Sequence, residues 1–373
     1  MAKLVDVRSP STRTVSGTRR QRTGLPTVTV LVPCYNYGRY LPRCVKSILS
    51  QDGVDVDVLV IDDASTDDSA EVAEQLANSD PRVRLMRHAI NLGHIATYNE
   101  GISVLRGKYF ALVSADDFLA PGSLSRAVDV LESDDGIAMV YGRVAICRHV
   151  DPDDCVHRER RSRIRAVTMD GTAWIEKICR LGWDPIASPE VVVRSEVQRR
   201  VGGYSAHLPH SADFEMWLRV ATQGSIVQLV GPPQAYYRVH SASMARTTYG
   251  QKIADLRQRQ AALESFFAAW SARPPESDEW HRAARRHLAS VAISHACDII
   301  VFGLPEDVDE YLAFVMSLGV EYTTLADWRR YRALRRDSGS RSARAAVRAG
   351  YVTARCHLRK WYHALGRPLE RWL

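Results

Sequence analysis

The sequence predicts an α/β protein with a Rossmann-like, mainly parallel central sheet and an α-helical appendage towards its C-terminal end. Three observations predict it. Between residues 27 and 141, short apolar runs alternate with amphipathic stretches in the order β-α-β-α-β-α-β-α-β. Such alternation builds a parallel sheet with right-handed crossovers and helices on both faces. Two of the strands run into paired carboxylates, Asp62-Asp63 and Asp116-Asp117. The carboxyl ends of parallel strands are where open α/β sheets bind ligands. After Gly250 the strand signals cease and only helical spacing remains.

Residues 1–25 are rich in Ser, Thr and Arg, lack an apolar period, and read as a disordered basic N-terminus. Thr27-Val28-Thr29-Val30-Leu31-Val32 is the first strand, stopped by Pro33. Cys34-Tyr35-Asn36-Tyr37-Gly38 turns the chain. Leu41, Cys44, Val45, Ile48 and Leu49 then fall at i, i+3, i+4, i+7 and i+8, the stripe of an amphipathic helix. Asp57-Val58-Leu59-Val60-Ile61 is the second strand and ends in Asp62-Asp63. Ser65 or Thr66 is placed to cap a helix carrying Val72 and Leu76. Val83-Arg84-Leu85-Met86 is the third strand, and Asn91-Leu92-Gly93 leads into a helix with Ile95, Tyr98, Ile102 and Leu105. The run from Tyr109 to Val113 fits a strand buried on both faces, and breaks into Ser114-Ala115-Asp116-Asp117 and a Pro121-Gly122 turn. A helix with Leu124, Ala127, Val128 and Leu131 follows, then a strand at 137–141.

Residues 143–170 are dense in Arg, His and Asp and read as a variable, partly exposed loop region; 172–181 reads as helix. From Phe214 a helix turns Trp217, Leu218 and Ala221 inward and leaves Asp213 at its start, where an Asp also suits an N-cap. Residues 234–241 close the block as a strand and polar loop. One domain therefore spans 26–250. Residues 251–328, with Pro274-Pro275 between helical stretches, form the α-helical appendage, and 329–373 form a basic, aromatic tail.

The net charge of +7 is uneven: residues 1–24 carry +5 and residues 329–373 carry +11, which leaves −9 for the body. An acidic body argues against nucleic-acid binding. Basic ends with Trp and Tyr point to an anionic membrane surface, or to a helical arm that pairs two copies of the chain. The seven cysteines form no CxxC pair, and no apolar run reaches membrane-span length. With no signal-peptide core at the start, the expected location is the cytoplasm, with peripheral contact at the inner face of the cell membrane. No GxGxxG follows the first strand and no GxxxxGK[ST] occurs, so a dinucleotide oxidoreductase or P-loop NTPase is poorly supported. Paired carboxylates are hard oxygen ligands for Mg²⁺ or Mn²⁺ shared with substrate phosphates; alone they would read as a solvated acidic turn.

Taken in order, these blocks resemble the family 2 inverting glycosyltransferases of the GT-A fold over about residues 27–245. Val30-Leu31-Val32-Pro33-Cys34-Tyr35-Asn36 looks like the opening strand and turn, and Asp62-Asp63-Ala64-Ser65-Thr66-Asp67 like the nucleotide-binding DDxSxD. Asn91-Leu92-Gly93 and Asn99-Glu100-Gly101 resemble the NxG…NxG block, and Ser114-Ala115-Asp116-Asp117 stands where DxDD sits. Gly202-Gly203-Tyr204, Asp213-Phe214-Glu215-Met216-Trp217-Leu218-Arg219 and Tyr237-Arg238-Val239-His240 with Ser241 and Ser243 resemble GG[FY], ED-x-x-x-WLR and YRxHxxS. Ser114 and Ala212 depart from that pattern, each where an acid is usual.

The resemblance implies a nucleotide-sugar donor and an Mn²⁺ or Mg²⁺ cofactor. Asp117 would bind the metal and Asp116 the ribose, while Pro33, Tyr35 and Asp63 would hold a uracil or thymine base. Arg238 and His240 would close on the diphosphate, and Asp213 would be the general base. A structural Arg238 paired with a core acid and a surface His240 are the plain alternatives. His207 and His210 stand near the acceptor side or simply on a surface loop. The acceptor stays open among glycan, lipid-linked, peptide and small-molecule hydroxyls. Two other functions stay in view, an inactive nucleotide-sugar-binding scaffold and a nucleotidyltransferase on a similar sheet.

Overall fold

The structure, a computed structural model, describes residues 3–7, 24–147, 164–182, 184–240 and 252–336. The chain divides into two compact units, Met1–Ser277 and Asp278–Leu373. The strands of the first unit are β1 (Lys3–Val7), β2 (Thr27–Cys34), β3 (Asp55–Asp62), β4 (Val83–Arg87), β5 (Tyr109–Leu112), β6 (Phe118–Leu119), β7 (Ile137–Tyr141), β8 (Val144–Cys147), β9 (Ile164–Met169), β10 (Val191–Arg194), β11 (Ser225–Val230) and β12 (Ala235–Arg238).

Nine of them form one sheet in the order β1-β9-β11-β7-β10-β5-β2-β3-β4. The half made of β5, β2, β3 and β4 is parallel throughout. Its strands read as unbroken apolar runs because both faces are covered: Val28, Val30, Leu31, Val58, Leu59 and Val60 are all buried. Helix α1 (Leu41–Leu49) turns Leu41, Cys44, Val45 and Ile48 inward. Helices α2 (Ser69–Ser79), α3 (His94–Ser103) and α4 (Ser123–Ser133) complete the crossovers.

Three differences from the sequence reading have local causes. Helix α2 starts at Ser69 behind Asp68, not at Ser65 or Thr66. Those two residues brace the first turn instead: Asn36 N donates to Ser65 Oγ at 3.0 Å, and Thr66 donates its N and Oγ1 to Asn36 Oδ1 at 2.8 and 3.2 Å. Strand β7 does not pair with β5, because β10, some fifty residues later, inserts antiparallel between them. Residues 3–7, read as part of a disordered terminus, pair with β9 and satisfy the backbone groups of that edge.

A second, three-stranded sheet runs β6-β12-β8. It lays residues 235–238 beside the segment that follows Asp116-Asp117, and Phe118 stacks on Tyr236 with ring centroids 4.7 Å apart. Helices α5 (Gly171–Leu181), α6 (Ser195–Val201), α7 (Ala212–Ala221) and α8 (Lys252–Ala269) belong to the same unit. Helix α5 is capped by Asp170, whose side chain accepts from Thr172 N and Ala173 N. Helix α8 packs on α7, so the first unit extends past residue 250 and the division falls at 277. Periodicity alone marks α8 as a helix but not which partner its face meets.

The second unit contains helices α9 (Ser277–Phe302), α10 (Val308–Ser317) and α11 (Ala326–Arg336). Leu288, Ala292, Ala296, Tyr311, Phe314 and Val315 are buried there. Trp328, the last residue of the expected appendage, stacks on Tyr331 and meets Tyr322 edge-on, so it is packed within its unit. No helix among the described residues is long and apolar enough to cross a membrane. Most of the basic tail, the centre of the 143–170 region, Ser241 and Ser243 lie outside the described residues.

Candidate active site

The carboxylates at the end of β5 are drawn in rather than solvated. Past the strand, Val113 N still bonds Leu31 O and Ala115 N bonds Pro33 O, so the chain stays on the sheet until Asp116. Asp117 N then closes a turn onto Ser114 O at 2.9 Å. Asp116 and Asp117 are 9% and 3% exposed. Two adjacent buried carboxylates need compensation. The last residue of β12 and the loop that follows it provide part of it. His240 Nε2 lies 3.0 Å from Asp116 Oδ2, Arg238 N donates to Asp117 Oδ1 at 2.8 Å, and Arg238 Nε donates to the carbonyl of Asp116 at 2.9 Å. The small sheet is what delivers Arg238 and His240 to this place.

An aromatic shelf supports them. The His240 ring packs on Tyr37 and Tyr40 at 5.6 and 5.2 Å, and the Arg238 guanidinium lies over Tyr40 at 4.8 Å. Burial, followed by the charges of Asp116 and Asp117, pushes the Tyr37 phenol well above the ordinary tyrosine range.

The acids at the end of β3 are used differently. Asp63 Oδ1 accepts from His88 Nδ1 at 2.6 Å and from Leu92 N at 2.8 Å, and Oδ2 accepts from Gly93 N at 2.9 Å. The other His88 nitrogen, Nε2, lies 2.7 Å from Glu100 Oε2. Burial alone would lower the His88 pKa, but the hydrogen bonds and charges of Asp63 and Glu100 outweigh it and raise the value. Asp62 is 1% exposed; its Oδ2 accepts weakly from Ser65 N, and its Oδ1 has no partner among the described residues. Strand β2 runs one residue past Pro33, to Cys34, and Tyr35 stands 45% exposed on the turn after it. Asn36 and Ala64 hold positive φ values of 58° and 55°, the two non-glycine residues to do so among those described.

Asp213 occupies the first turn of α7 and is half-buried. Its Oδ1 accepts from Phe214 N at 2.8 Å, and Ser188 Oγ reaches its Oδ2 at 3.5 Å. The flanking motifs scaffold this turn. Glu215 pairs with Arg219 through two 2.8 Å bonds, and Arg219 donates onward to the carbonyls of Val201 and Gly203. Asn99 clasps Tyr204 through its N and O at 2.6 and 2.9 Å. A Cβ on Gly203 would stand 2.5 Å from Asn99 Oδ1, which is why glycine is needed there.

Tyr98 links the two carboxylate groups. Its ring meets Tyr204 and His94 edge-on at 5.4 and 5.5 Å. Burial first, and then the charges of Asp213, Asp116 and Asp117, push its phenol well above the ordinary range. Asp213 and the Asp116-Asp117 pair therefore both lie within electrostatic reach of Tyr98. Sequence reasoning gave no site role to Tyr37, Tyr40, Tyr98, His88 or Ser188. The tyrosines at 37 and 40 carry a signal, three residues apart beside a helix start; His88 and Ser188 carry none. Among the described residues, no three His, Cys, Asp or Glu side chains converge as a complete metal cage.

Residues 29–177 match the family model described as Glycosyl transferase family 2. An uncharacterized glycosyltransferase of Haemophilus influenzae is 28% identical over 225 residues, which span 58% of this chain and 66% of that protein. The chondroitin synthase of Pasteurella multocida is 28% identical over 206 residues, 55% of this chain but only 20% of that one. Among solved structures, S. aureus TarS 1–349 in complex with UDP-GlcNAc aligns with a TM-score of 0.52 at 15% identity, covering 79% of this chain and 93% of that one. The mannosyltransferase PcManGT from Pyrobaculum calidifontis, in complex with GDP-Man and Mn²⁺, aligns with a TM-score of 0.50 at 18% identity over 88% of each chain.

Proposed function

We propose that the chain is a family 2 glycosyl transferase with the GT-A fold, and that it moves a sugar from a uridine or thymidine diphosphate sugar to an acceptor hydroxyl with inversion. The observation that carries the proposal is the nearly buried Asp116-Asp117 pair, met by His240 and Arg238 at a strand end, together with the half-buried carboxylate of Asp213 at a helix start; the charges of all three acids act on Tyr98.

In this reading Asp213 accepts the proton of the acceptor hydroxyl. The acceptor oxygen bonds to the anomeric carbon from one face as the bond to the nucleoside diphosphate breaks on the other. Asp116 accepts from the ribose hydroxyls. Arg238 and His240, already gathered on the acid pair, turn to the diphosphate oxygens. Asp63, with the turn of Pro33 and Tyr35 beside it, holds the base. Three donors occupy its carboxylate, and two lone pairs per oxygen leave Oδ2 able to accept one more, which suits the imide N–H of uracil or thymine.

The acid pair fits a divalent cation in its donor chemistry. Adjacent carboxylates offer hard oxygens, and Mg²⁺ and Mn²⁺ sites commonly take one or two of these and complete the shell with phosphate and water. Asp117 would be the ligand, assisted by Asp116. A bound cation would neutralise the diphosphate leaving group as a Lewis acid. The Mn²⁺ and GDP-Man in the complex of PcManGT support the same expectation. Charge attraction between the basic C-terminal segment and an anionic surface would hold the enzyme near its acceptor.

The test is a panel of nucleotide sugars, measured by calorimetry and by slow release of nucleoside diphosphate, with Mn²⁺ and with chelator. Cation-dependent binding and release are expected. Equal affinity with chelator would remove Asp117 as a metal ligand. Binding without any turnover would make the chain a sugar-nucleotide scaffold, and pyrophosphate release from a nucleoside triphosphate would make it a nucleotidyltransferase.

A further inference from the structure

The loop that delivers Asp213 is held from two directions. Residues 205–211 form consecutive tight turns, with Leu208 N on Ser205 O and Ser211 N on Leu208 O, and Leu208 is buried beneath them. From the donor side, His94 Nε2 donates to Pro209 O at 2.7 Å. His94 opens α3, directly after Leu92 and Gly93, whose amides hold Asp63. From the other side comes α8. His210 Nε2 donates to Asp255 Oδ1 at 3.0 Å, and Gln258 Oε1 accepts from His210 N at 3.2 Å. Asp255 also pairs with Arg259, which is 5% exposed. Burial pushes the Asp255 carboxyl up, but the hydrogen bond from His210 and the charge of Arg259 bring it below the usual carboxylate range, so it stays ionised.

We infer that α8 is a working part of the catalytic unit, and that Asp255 and Gln258 act through His210 as positioning residues for Asp213. This rests on the assignment of Asp213 as general base. Helix α8 lies beyond residues 29–177, where the family model matches, and beyond the motifs that end near residue 245. Its polar residues meet the loop at His210, three residues before the base, where the backbone turns into α7. A general base misplaced by about 1 Å loses up to about 10²-fold in rate without a comparable loss of binding. Asp213 Oδ1 accepts from Phe214 N and its Oδ2 lies 3.5 Å from Ser188 Oγ, and the loop directly ahead of it sets where its backbone enters α7.

The experiment uses the full chain and three variants: His210→Ala, His210→Gln and Gln258→Ala. Each is measured for uridine diphosphate affinity by calorimetry with Mn²⁺, for kcat and KM of nucleoside diphosphate release from the best donor of the panel, and for amide exchange across 205–215. The expected result for His210→Ala is a kcat loss of about tenfold or more with donor KM and uridine diphosphate affinity within about twofold. Amide exchange should quicken in that window while β2 and β3 stay protected. Part of the kcat should return in His210→Gln, which keeps a donor towards Asp255. Gln258→Ala, which removes one contact to the loop backbone, should give a smaller kcat loss and remains informative if His210→Ala folds poorly. Unchanged kcat in both His210→Ala and Gln258→Ala, or equal loss of kcat and nucleotide affinity, would overturn the positioning role. A wild-type chain that neither binds nor turns over any nucleotide sugar would overturn the functional reading itself, and this inference with it.

Discussion

Replacing Asp213 by Asn separates chemistry from architecture at one atom. The side chain sits in the first turn of α7, and its Oδ1 accepts from Phe214 N at 2.8 Å. An Asn keeps that acceptor. The contact with Ser188 is 3.5 Å long and adds little. The interaction of its negative charge with the helix N-terminus, which Asn gives up, is worth about 0.3–1 kcal/mol. For a unit of this size a loss of about 1 kcal/mol lowers Tm by roughly 2–4 °C. Loss of a general base costs roughly 10²–10⁴ in rate, or about 3–5 kcal/mol of transition-state stabilisation at about 1.4 kcal/mol per tenfold. The two effects differ enough to be read apart. Asp213→Asn should bind a nucleotide sugar as wild type does, unfold within a few degrees of it, and release nucleoside diphosphate at least about a hundredfold more slowly. A variant that turns over at the wild-type rate would reduce Asp213 to a helix-terminal charge and send the search for the base elsewhere.

Three further outcomes are expected. The His88 pKa is raised in the folded chain above its ordinary 6.5 by Asp63 and Glu100; the stability this contributes is fully present below about 6.5 and is lost as pH rises through the raised folded value. Tm should therefore fall across that window, and His88→Gln should flatten the fall; an unchanged pH profile would show that the pair does not couple to folding. Gly171→Ala would place a Cβ 1.8 Å from the carbonyl oxygen of Ala221, a backbone atom that cannot swing away; a loss of about 1–3 kcal/mol or more should appear as a lowered midpoint in denaturant titration, with urea as the simplest choice. A chain cut after Arg336 should keep nucleotide-sugar binding and lose salt-sensitive sedimentation with anionic liposomes; full-length protein that ignores liposomes yet runs as a dimer, with the cut form monomeric, would favour a pairing arm instead.

The parallel half of the fold was legible because each of its elements carries its own period. The α1 stripe at 41, 44, 45 and 48 and the apolar runs of β2, β3 and β5 need no partner to be recognised. The insertion of β10 between β5 and β7 left no such trace, since Val191-Val192-Val193 reads as a buried strand wherever it pairs. The boundary at 277 was hidden for the same reason. The helical texture begins at 252, and the packing of the first of those helices on α7, with the contact of Asp255 and Gln258 with His210, is what ties it to the sheet domain. In the site, residues that supply charge were readable and residues that hold them were not. Asp116, Asp117 and Asp213 announce themselves by type and place, whereas Tyr98 and His88 owe their roles to neighbours far away in sequence.

The two acidic strand ends show how far one dipeptide can diverge when its surroundings differ. At the end of β3, Asp63 is held by two backbone amides of the 91–93 turn and by a buried imidazole that is itself fixed by Glu100. Those donors belong to the sheet domain's own framework, so the carboxylate organises structure first and has room for one further hydrogen bond. At the end of β5, Asp116 and Asp117 are met by His240 and by the amide of Arg238 at the very end of β12. A strand end contributes fewer constraints than a strand interior, and an imidazole on an aromatic shelf can turn without breaking the sheet. A cation and a diphosphate arriving there would replace partners rather than dismantle a framework. The same two letters thus give a carboxylate fixed by backbone amides at one strand end and a pair met by a histidine and a single strand-end amide at the other, and that second pair is the one whose charge reaches Tyr98 together with that of Asp213.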